Sequence, residues 1–337
     1  MNLENPIFSC ENHEAPAKVA ALVVTFNRKI LLLDCLTALL GQTRPVNRIF
    51  LVDNASTDGT FELLAEKGYL ENPRIQYRKL PVNEGGAGGF HEGAKWAYEE
   101  GYDWLWLMDD DSKPMPDALE ELSRHFGDHT AIALVPAIEA SDGTRINRCD
   151  KFHFSKWRIV HKTLQVDFSG VASVDTATFV GLLVRSSVVK RAGFPAKKFF
   201  IYGDDTEYCL RLRKYGSILL ISSSRIVHQE ARQKQVSRVK RFGRSSPRVE
   251  FKNLWVHYFT IRNGIWLCLH GYSENPGFLI NLTNIISRFA LYLRWVAGIL
   301  LYDDHKWKRI LFYSHAFYDG VCNKWDNEKP KWLLQKS

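Results

Sequence analysis

The stretch Trp104-Leu105-Trp106-Leu107-Met108-Asp109-Asp110-Asp111 constrains this chain more than any other. Five large apolar residues ending abruptly in three carboxylates read as a buried strand that delivers acid to the edge of a sheet. In open α/β sheets, ligands bind outside the carboxyl ends of the strands. Three carboxylates there repel one another unless a cation joins them, and a hard divalent cation with phosphate oxygens suits that role. A polar turn after a core strand is the plainer reading, and the surrounding motifs weigh against it.

The first half alternates strand and helix. Val19 to Phe26 is a β-branched apolar run, predicted as the first parallel strand, ending at Thr25-Phe26-Asn27-Arg28. A helical period through Leu31 to Leu40 closes at Gly41. The second strand, Arg48 to Val52, ends in Asp53-Asn54-Ala55-Ser56-Thr57-Asp58-Gly59-Thr60, where Thr57 or Asp58 can cap the next helix. The third, Ile75 to Leu80, leads into Asn83-Glu84-Gly85-Gly86-Ala87-Gly88-Gly89-Phe90 and a helix over Phe90 to Glu100. This alternation predicts an α/β fold with a doubly wound, mostly parallel sheet. Right-handed crossovers then bring Thr25, Asp53, Asn83 and Asp109 to Asp111 to one crevice. The glycine run opens a helix where backbone N–H groups can approach phosphate or sugar. It has neither GxGxxG spacing nor a P-loop Lys-Ser/Thr, which excludes both of those sites.

In the second half, Ile132 to Pro136 is apolar, Glu139 to Asp150 is a polar excursion, and Phe152 to Val166 reads as a hairpin. Val174 to Val184 reads as a strand containing Gly181, and a helix runs from Thr206 to Tyr215. Asp204 and Asp205 fall at that helix's N-terminus. Asp204 alone is an adequate N-cap, but two adjacent aspartates plus Glu207 exceed what a cap requires. A last strand, Ile218 to Ile221, precedes Arg225-Ile226-Val227-His228. The expected organisation is therefore an N-terminal extension (1–18), an α/β domain (19–230), a basic flexible loop (231–250) and a helical C-terminal region (251–337). Within that last region Leu279 to Tyr302 is strongly apolar. Its Asn281, Asn284, Arg288 and Arg294 argue against a spanning helix and favour one lying on a membrane or on the domain.

A net charge of +8 suits an anionic partner. The basic residues cluster in a loop without an aromatic-basic face or an RNA-binding motif, so nucleic acid is not the expected partner. Six cysteines without CxxC spacing suggest neither zinc nor a disulfide framework. Met1 to Lys18 has no apolar h-region, and a cytoplasmic location, peripheral at the inner face of the cell membrane, is expected.

Taken in order, these motifs resemble family 2 glycosyltransferases of the GT-A fold, which are inverting and metal-dependent, from about Val19 to His228. The contiguous Asp109-Asp110-Asp111, the glycine loop to Phe90, and Asp204-Asp205 look like galactofuranosyltransferases. His257-Tyr258-Phe259-Thr260-Ile261-Arg262-Asn263 is similar to a segment following the catalytic domain in rhamnosyl- and galactofuranosyltransferases. The resemblance implies that Thr25 and Asp53 hold the uracil and ribose of a nucleotide-sugar donor, with Phe26, Asn27, Arg28 and Asn83 around them. It implies that Asp109, Asp111 and His228 bind Mn²⁺ or Mg²⁺ with the diphosphate, and that Asp110 reaches the ribose. Gly85, Gly86, Asp204 and Glu207 then face the sugar and acceptor.

Inverting transfer needs a base opposite the leaving diphosphate, and Asp205 is the choice, with Asp204 binding acceptor hydroxyls. UDP-galactofuranose is the expected donor, with dTDP-rhamnose the alternative, and the acceptor is a lipid-linked glycan of cell-surface polysaccharide synthesis at an anionic membrane. A non-catalytic nucleotide-sugar-binding protein is the rival, but it has no need of the second carboxylate cluster. The sequence leaves the oligomeric state open, a homo-oligomer included.

Overall fold

The computed structural model describes residues 17–146, 149–154, 159–163, 170–229, 236–241, 244–271 and 278–335. The expected extension 1–18 lies outside these except for its last two residues. The chain begins with β1 (Val19–Thr25), α1 (Lys29–Leu40), β2 (Arg48–Asp53), α2 (Thr60–Glu66), β3 (Ile75–Lys79), α3 (Gly85–Glu99) and β4 (Trp104–Asp109). It continues through β5 (Ser112–Pro114), α4 (Ala118–Ser123), β6 (Ala131–Glu139), β7 (Arg145–Ile146) and the hairpin β8 (Asp150–Phe154) and β9 (Ile159–Thr163). Next come β10 (Val171–Val174), β11 (Leu182–Arg185), α5 (Ser186–Ala192), α6 (Asp204–Leu212) and β12 (Ser217–His228). The remainder is β13 (Val236–Arg241), β14 (Arg244–Val249), α7 (Trp255–Trp266), α8 (Phe278–Tyr302), α9 (Lys306–Val321) and α10 (Lys329–Gln335).

The main sheet runs β10-β12-β6-β11-β4-β1-β2-β3. β1 pairs parallel with β2 and β4, and β2 with β3, as the alternating pattern predicts. Every residue of β1 is buried, as in strands covered by helices on both faces. β11 lies antiparallel between β4 and β6, and β12 runs parallel to β6. β6 and β12 therefore point the same way as β1, β2 and β4. The end of β12 reaches the edge where β1, β2 and β4 also end.

The structure revises several boundaries. Val174 to Val184 is not one strand: β10 and β11 are separated by an irregular stretch ending at Gly181 (φ +90°). A side chain there would overlap Ile226, and the Gly181 N–H donates to Leu107 O (2.9 Å). Helix α3 begins at Gly85 rather than Phe90, because its glycines serve packing. A Cβ on Gly89 would overlap Val24, and one on Gly93 would overlap Leu22, so α3 sits tightly on β1. Gly203 (φ +80°), not Asp204, occupies the N-cap position of α6. The basic stretch expected to be a flexible loop pairs as the antiparallel hairpin β13–β14; Arg232 and Lys234 lie outside the described residues.

Trp104 and Trp106 are core residues: Trp106 Nε1 donates to Gly181 O (3.0 Å), and Trp104 stacks on Phe126. Helix α7 packs on α9 through Tyr258, Ile261, Ile265, Phe312 and Ala316. The Leu282–Tyr302 span of α8 is long and apolar enough to cross a membrane by length and composition alone. Two of its polar residues turn toward the protein. Asn284 donates to Cys268 O (3.1 Å), and Arg288 to Cys268 Sγ (2.6 Å).

Candidate active site

Register builds the acid cluster. β4 ends at Asp109 beside Val24 of β1, and Asp110 and Asp111 follow in the turn to β5. β5 pairs antiparallel with β12, matching Ser112 with His228, and Gln229 N–H donates to Asp111 O (2.9 Å). That pairing brings His228 Nε2 within 3.1 Å of Asp111 Oδ1. One ligand atom from each of Asp109, Asp111 and His228 lies within 4.8 Å of the others. Two carboxylates and an imidazole so close are a donor set fitting Mg²⁺ or Mn²⁺. The acids are crowded: burial, then Asp111 and Asp110, push the Asp109 carboxyl up to about 7. Burial also lifts Asp110 to about 6, against the pull of Arg28. A divalent cation is the charge such a cluster lacks.

Arg28 supplies part of it already. Its Nη1 lies 3.0 Å from Asp110 Oδ1 and 3.0 Å from Asp111 Oδ2. Asp110 also accepts from Thr25 Oγ1 (2.8 Å), which ties the end of β1 to the end of β4. Asp110 thus makes an internal strut, with its carboxylate turned to Thr25 and Arg28 and only 2% of the residue exposed.

The expected nucleotide contacts divide in two. Asp53 is fully enclosed: Oδ1 accepts from Ser56 N (2.7 Å) and Oδ2 from Tyr77 Oη (2.6 Å), so it shapes the loop after β2. Thr25 is likewise buried. Phe26, by contrast, is 40% exposed at the mouth of the crevice. Asn27 (φ +54°) accepts from Thr57 N (2.7 Å) and its own N–H donates to Ser56 Oγ (3.0 Å), locking the two strand-end loops together. Asn83 Oδ1 accepts from Gly85 N (2.8 Å) and so serves the start of α3. Gly85 (φ +75°) is there because any side chain would overlap the Phe200 carbonyl, whereas Gly86 faces open space.

A second carboxylate pair opens α6. Asp204 is buried, and its carboxyl is raised well above the usual range by burial, then by Asp205, with a contribution from Asp109. That contribution links the two acid clusters in one field. Asp205 is partly exposed and accepts from Thr206 N (2.6 Å). Glu207 does not join them: Arg211 Nε and Nη2 take its two oxygens at 2.7 and 2.9 Å. Arg211 also donates to Phe194 O (2.8 Å), so Glu207 anchors α6 to the preceding loop instead of facing an acceptor.

Sequence reasoning missed Asn54, Ser56 and Tyr77 as supports. Asn54 Nδ2 donates to Gly85 O (2.8 Å), and its Oδ1 accepts from Glu84 N (2.9 Å). Asn54 and Ser56 sit in the quoted motif, but nothing in the alternating strand around Tyr77 signalled its contact with Asp53.

Known proteins resemble this chain in sequence and in fold. The sequence is 31% identical to galactofuranosyltransferase GlfT1 of Mycolicibacterium smegmatis over 59% of this chain and 66% of that protein. It is 30% identical to GlfT1 of Mycobacterium tuberculosis, over 59% of this chain and 65% of that one. The match thus spans slightly less than two thirds of either relative. The structure of S. aureus TarS 1–349 superposes with a TM-score of 0.54 at 12% identity, covering 95% of this chain and 92% of that one. The GT-A architecture expected from the resemblance is the one found. The family model for glycosyl transferase family 2 matches residues 20–189, half of the chain, from within β1 to within α5 and including the acid triplet, and the chain belongs to that family.

Proposed function

We propose that this chain is a metal-dependent, inverting glycosyltransferase that moves galactofuranose from UDP-galactofuranose to a hydroxyl of a lipid-linked glycan. The observation that carries the reading is that a second carboxylate pair, Asp204-Asp205, lies near enough to the Asp109-Asp111-His228 cluster for Asp109 to act on the buried Asp204 carboxyl. A nucleotide-binding protein without catalysis needs only the first. The likeness to GlfT1 supports the choice of donor.

Asp109, Asp111 and His228 would hold the cation, which when bound supplies the Lewis acid that neutralises the departing diphosphate. The chain's own residues do the rest. Phe26, exposed at the mouth, offers its ring to the base, and the Asn27–Thr57 link keeps that wall rigid. Gly86, with open space beside it, lets the sugar come close to the start of α3. Asp205 takes the acceptor hydroxyl's proton as that oxygen bonds to the anomeric carbon and the carbon–phosphate-oxygen bond breaks. Configuration inverts because attack and departure are on opposite faces. Asp204, whose carboxyl burial raises well above the usual range, binds acceptor hydroxyls at the side of the same pocket.

The outer face of α8 supports a cytoplasmic enzyme docked peripherally on a membrane. Leu282, Ile286, Phe289 and Leu293 recur at helical spacing and are all exposed, and Trp307 and Leu311 of α9 are exposed as well. Incubating the protein with UDP-galactofuranose or dTDP-rhamnose, Mn²⁺ and a lipid-linked glycan, and weighing the product, tests the reading. Addition of one hexose from the UDP donor supports it; addition of a deoxyhexose from the dTDP donor alone overturns the donor assignment.

A further inference from the structure

Arg262 and Asn263 lie in the middle of α7, a helix otherwise rich in aromatic and aliphatic residues, and both are fully enclosed (0% and 1% exposed). Neither reaches solvent. The described hydrogen bonds of Arg262 all go to neutral oxygens: Nε to Asn263 Oδ1 (2.9 Å), Nη1 to Asn327 Oδ1 (2.9 Å), and Nη2 to the carbonyls of Lys198 and Phe199 (both 3.2 Å). Asn263 Nδ2 faces three more carbonyl contacts, Phe199 at 3.0 Å, Ile201 at 2.9 Å and Tyr202 at 2.7 Å. A buried guanidinium spent on two amide side chains and two main-chain carbonyls is costly unless the segment it holds matters.

That segment is the turn entering α6. Phe200 (φ +63°) and Tyr202 (φ +65°) are both left-handed, a conformation that a non-glycine residue keeps only where its surroundings over-determine it. Gly203 (φ +80°) follows, then Asp204 and Asp205. The Phe200 ring stacks on Phe259 of α7 (4.9 Å), and its carbonyl accepts from Ala87 N (3.0 Å) at the start of α3. Alternating handedness turns successive carbonyls toward α7, where the Asn263 amide gathers them.

We infer that Arg262 and Asn263 are positioning residues for the reaction. Together they clamp the carbonyls of Lys198, Phe199, Ile201 and Tyr202 and so fix the direction in which the first turn of α6 presents Asp204 and Asp205. The inference rests on Asp205 being the base. It extends the working site to the C-terminal helices, beyond the residues 20–189 that the family model matches.

Asn263→Asp tests it. The variant keeps the side chain's size and the acceptor for Arg262 Nε, but sets lone pairs against three carbonyls in place of N–H donors. The expected result is a fall in kcat of about 10²-fold, the cost of roughly 1 Å of misplacement, with donor KM nearly unchanged. Faster deuterium exchange at the amides of residues 203–206, at an unfolding midpoint close to wild type, should accompany it. A merely structural role predicts the reverse: a lowered midpoint with wild-type kcat per folded molecule. Asn263→Ser, which retains one donor, carries the same comparison if Asn263→Asp does not fold. Wild-type kcat in either folded variant overturns the inference. Asp205→Asn run alongside separates the two readings. If it retains wild-type kcat, the base assignment fails; if it alone loses kcat, only the clamp fails.

Discussion

Arg28 and Asp111 are joined by a 3.0 Å ion pair at Asp111 Oδ2, while the other oxygen of that carboxylate lies 3.1 Å from His228 Nε2. Asp111 is therefore the hinge between a fixed cation and a ligand set that needs a second one. EDTA is expected to abolish transfer, and Mn²⁺ or Mg²⁺ to restore it. Asp111→Asn removes the charge but little volume. It should weaken metal binding by at least the roughly 10–100-fold that losing an outer-shell partner costs. Calorimetric titration of Mn²⁺ in the presence of UDP measures this. Full turnover in EDTA with a metal-free protein would rule the metal role out.

The two aspartates of α6 should behave differently. Asp205→Asn is expected to lower kcat by about 10²–10⁴-fold, as loss of a general base does. Asp204→Asn should cost much less, because burial shifts the Asp204 carboxyl toward its neutral form, which an amide resembles. The sign of the pH effect follows. A carboxyl whose folded pKa is raised contributes most below its unfolded value near 4, and that contribution is lost as pH rises toward the folded value. Unfolding midpoints measured from pH 4 to pH 8 should thus fall more for wild type than for Asp204→Asn. If Asp204→Asn loses turnover while Asp205→Asn keeps it, the roles are reversed.

The glycines of α3 separate packing from access. Gly93→Ala puts a methyl into Leu22, and such overpacking typically costs 1–3 kcal/mol, more than the roughly 1 kcal/mol of helix propensity gained. Gly86→Ala meets nothing within 4 Å and should keep or raise stability. If sugar passes there, donor KM will rise in the folded Gly86→Ala variant. Urea denaturation with steady-state kinetics on both variants reads each effect. An unchanged KM removes Gly86 from the sugar site.

How much of this was legible in the sequence depends on which signals are local. The strands ending at Thr25, Asp53 and Asp109 were visible because β-branched and aromatic runs stop at polar loops. The antiparallel direction of β11 was not, since a four-residue apolar strand carries no mark of its direction. His228 was placed by resemblance, but its contact with Asp111 depends on β5, three residues that pair with the end of β12. Helix α3 began earlier than expected because glycine reads as loop until the strand beneath is known. The hairpin β13–β14 was hidden by its own charge. Arg262 and Asn263 stood out as polar residues in an apolar helix, but their targets, backbone carbonyls remote in sequence, have no signature at all.

Helix α8 offers the last test. Its outer face carries Leu282, Ile286, Phe289, Leu293, Leu300 and Leu301, all exposed, while Asn284 and Arg288 are turned inward to Cys268. The basic hairpin packs against the same helix: Arg248 Nη2 donates to Gly298 O (3.3 Å) and pairs with Asp303 (3.4 Å). An apolar stripe beside cationic residues suits an anionic lipid surface, with each nearby Lys or Arg worth about 1 kcal/mol. The protein is therefore expected to co-sediment with vesicles containing phosphatidylserine and to release as salt screens the basic contribution. Ile286→Asp together with Leu293→Asp, both on the exposed stripe, should abolish sedimentation while leaving transfer to a soluble acceptor intact. Equal binding to neutral and anionic vesicles, undiminished by salt, would remove the electrostatic part. Retention of binding by the double aspartate variant would show that α8 is not the docking face.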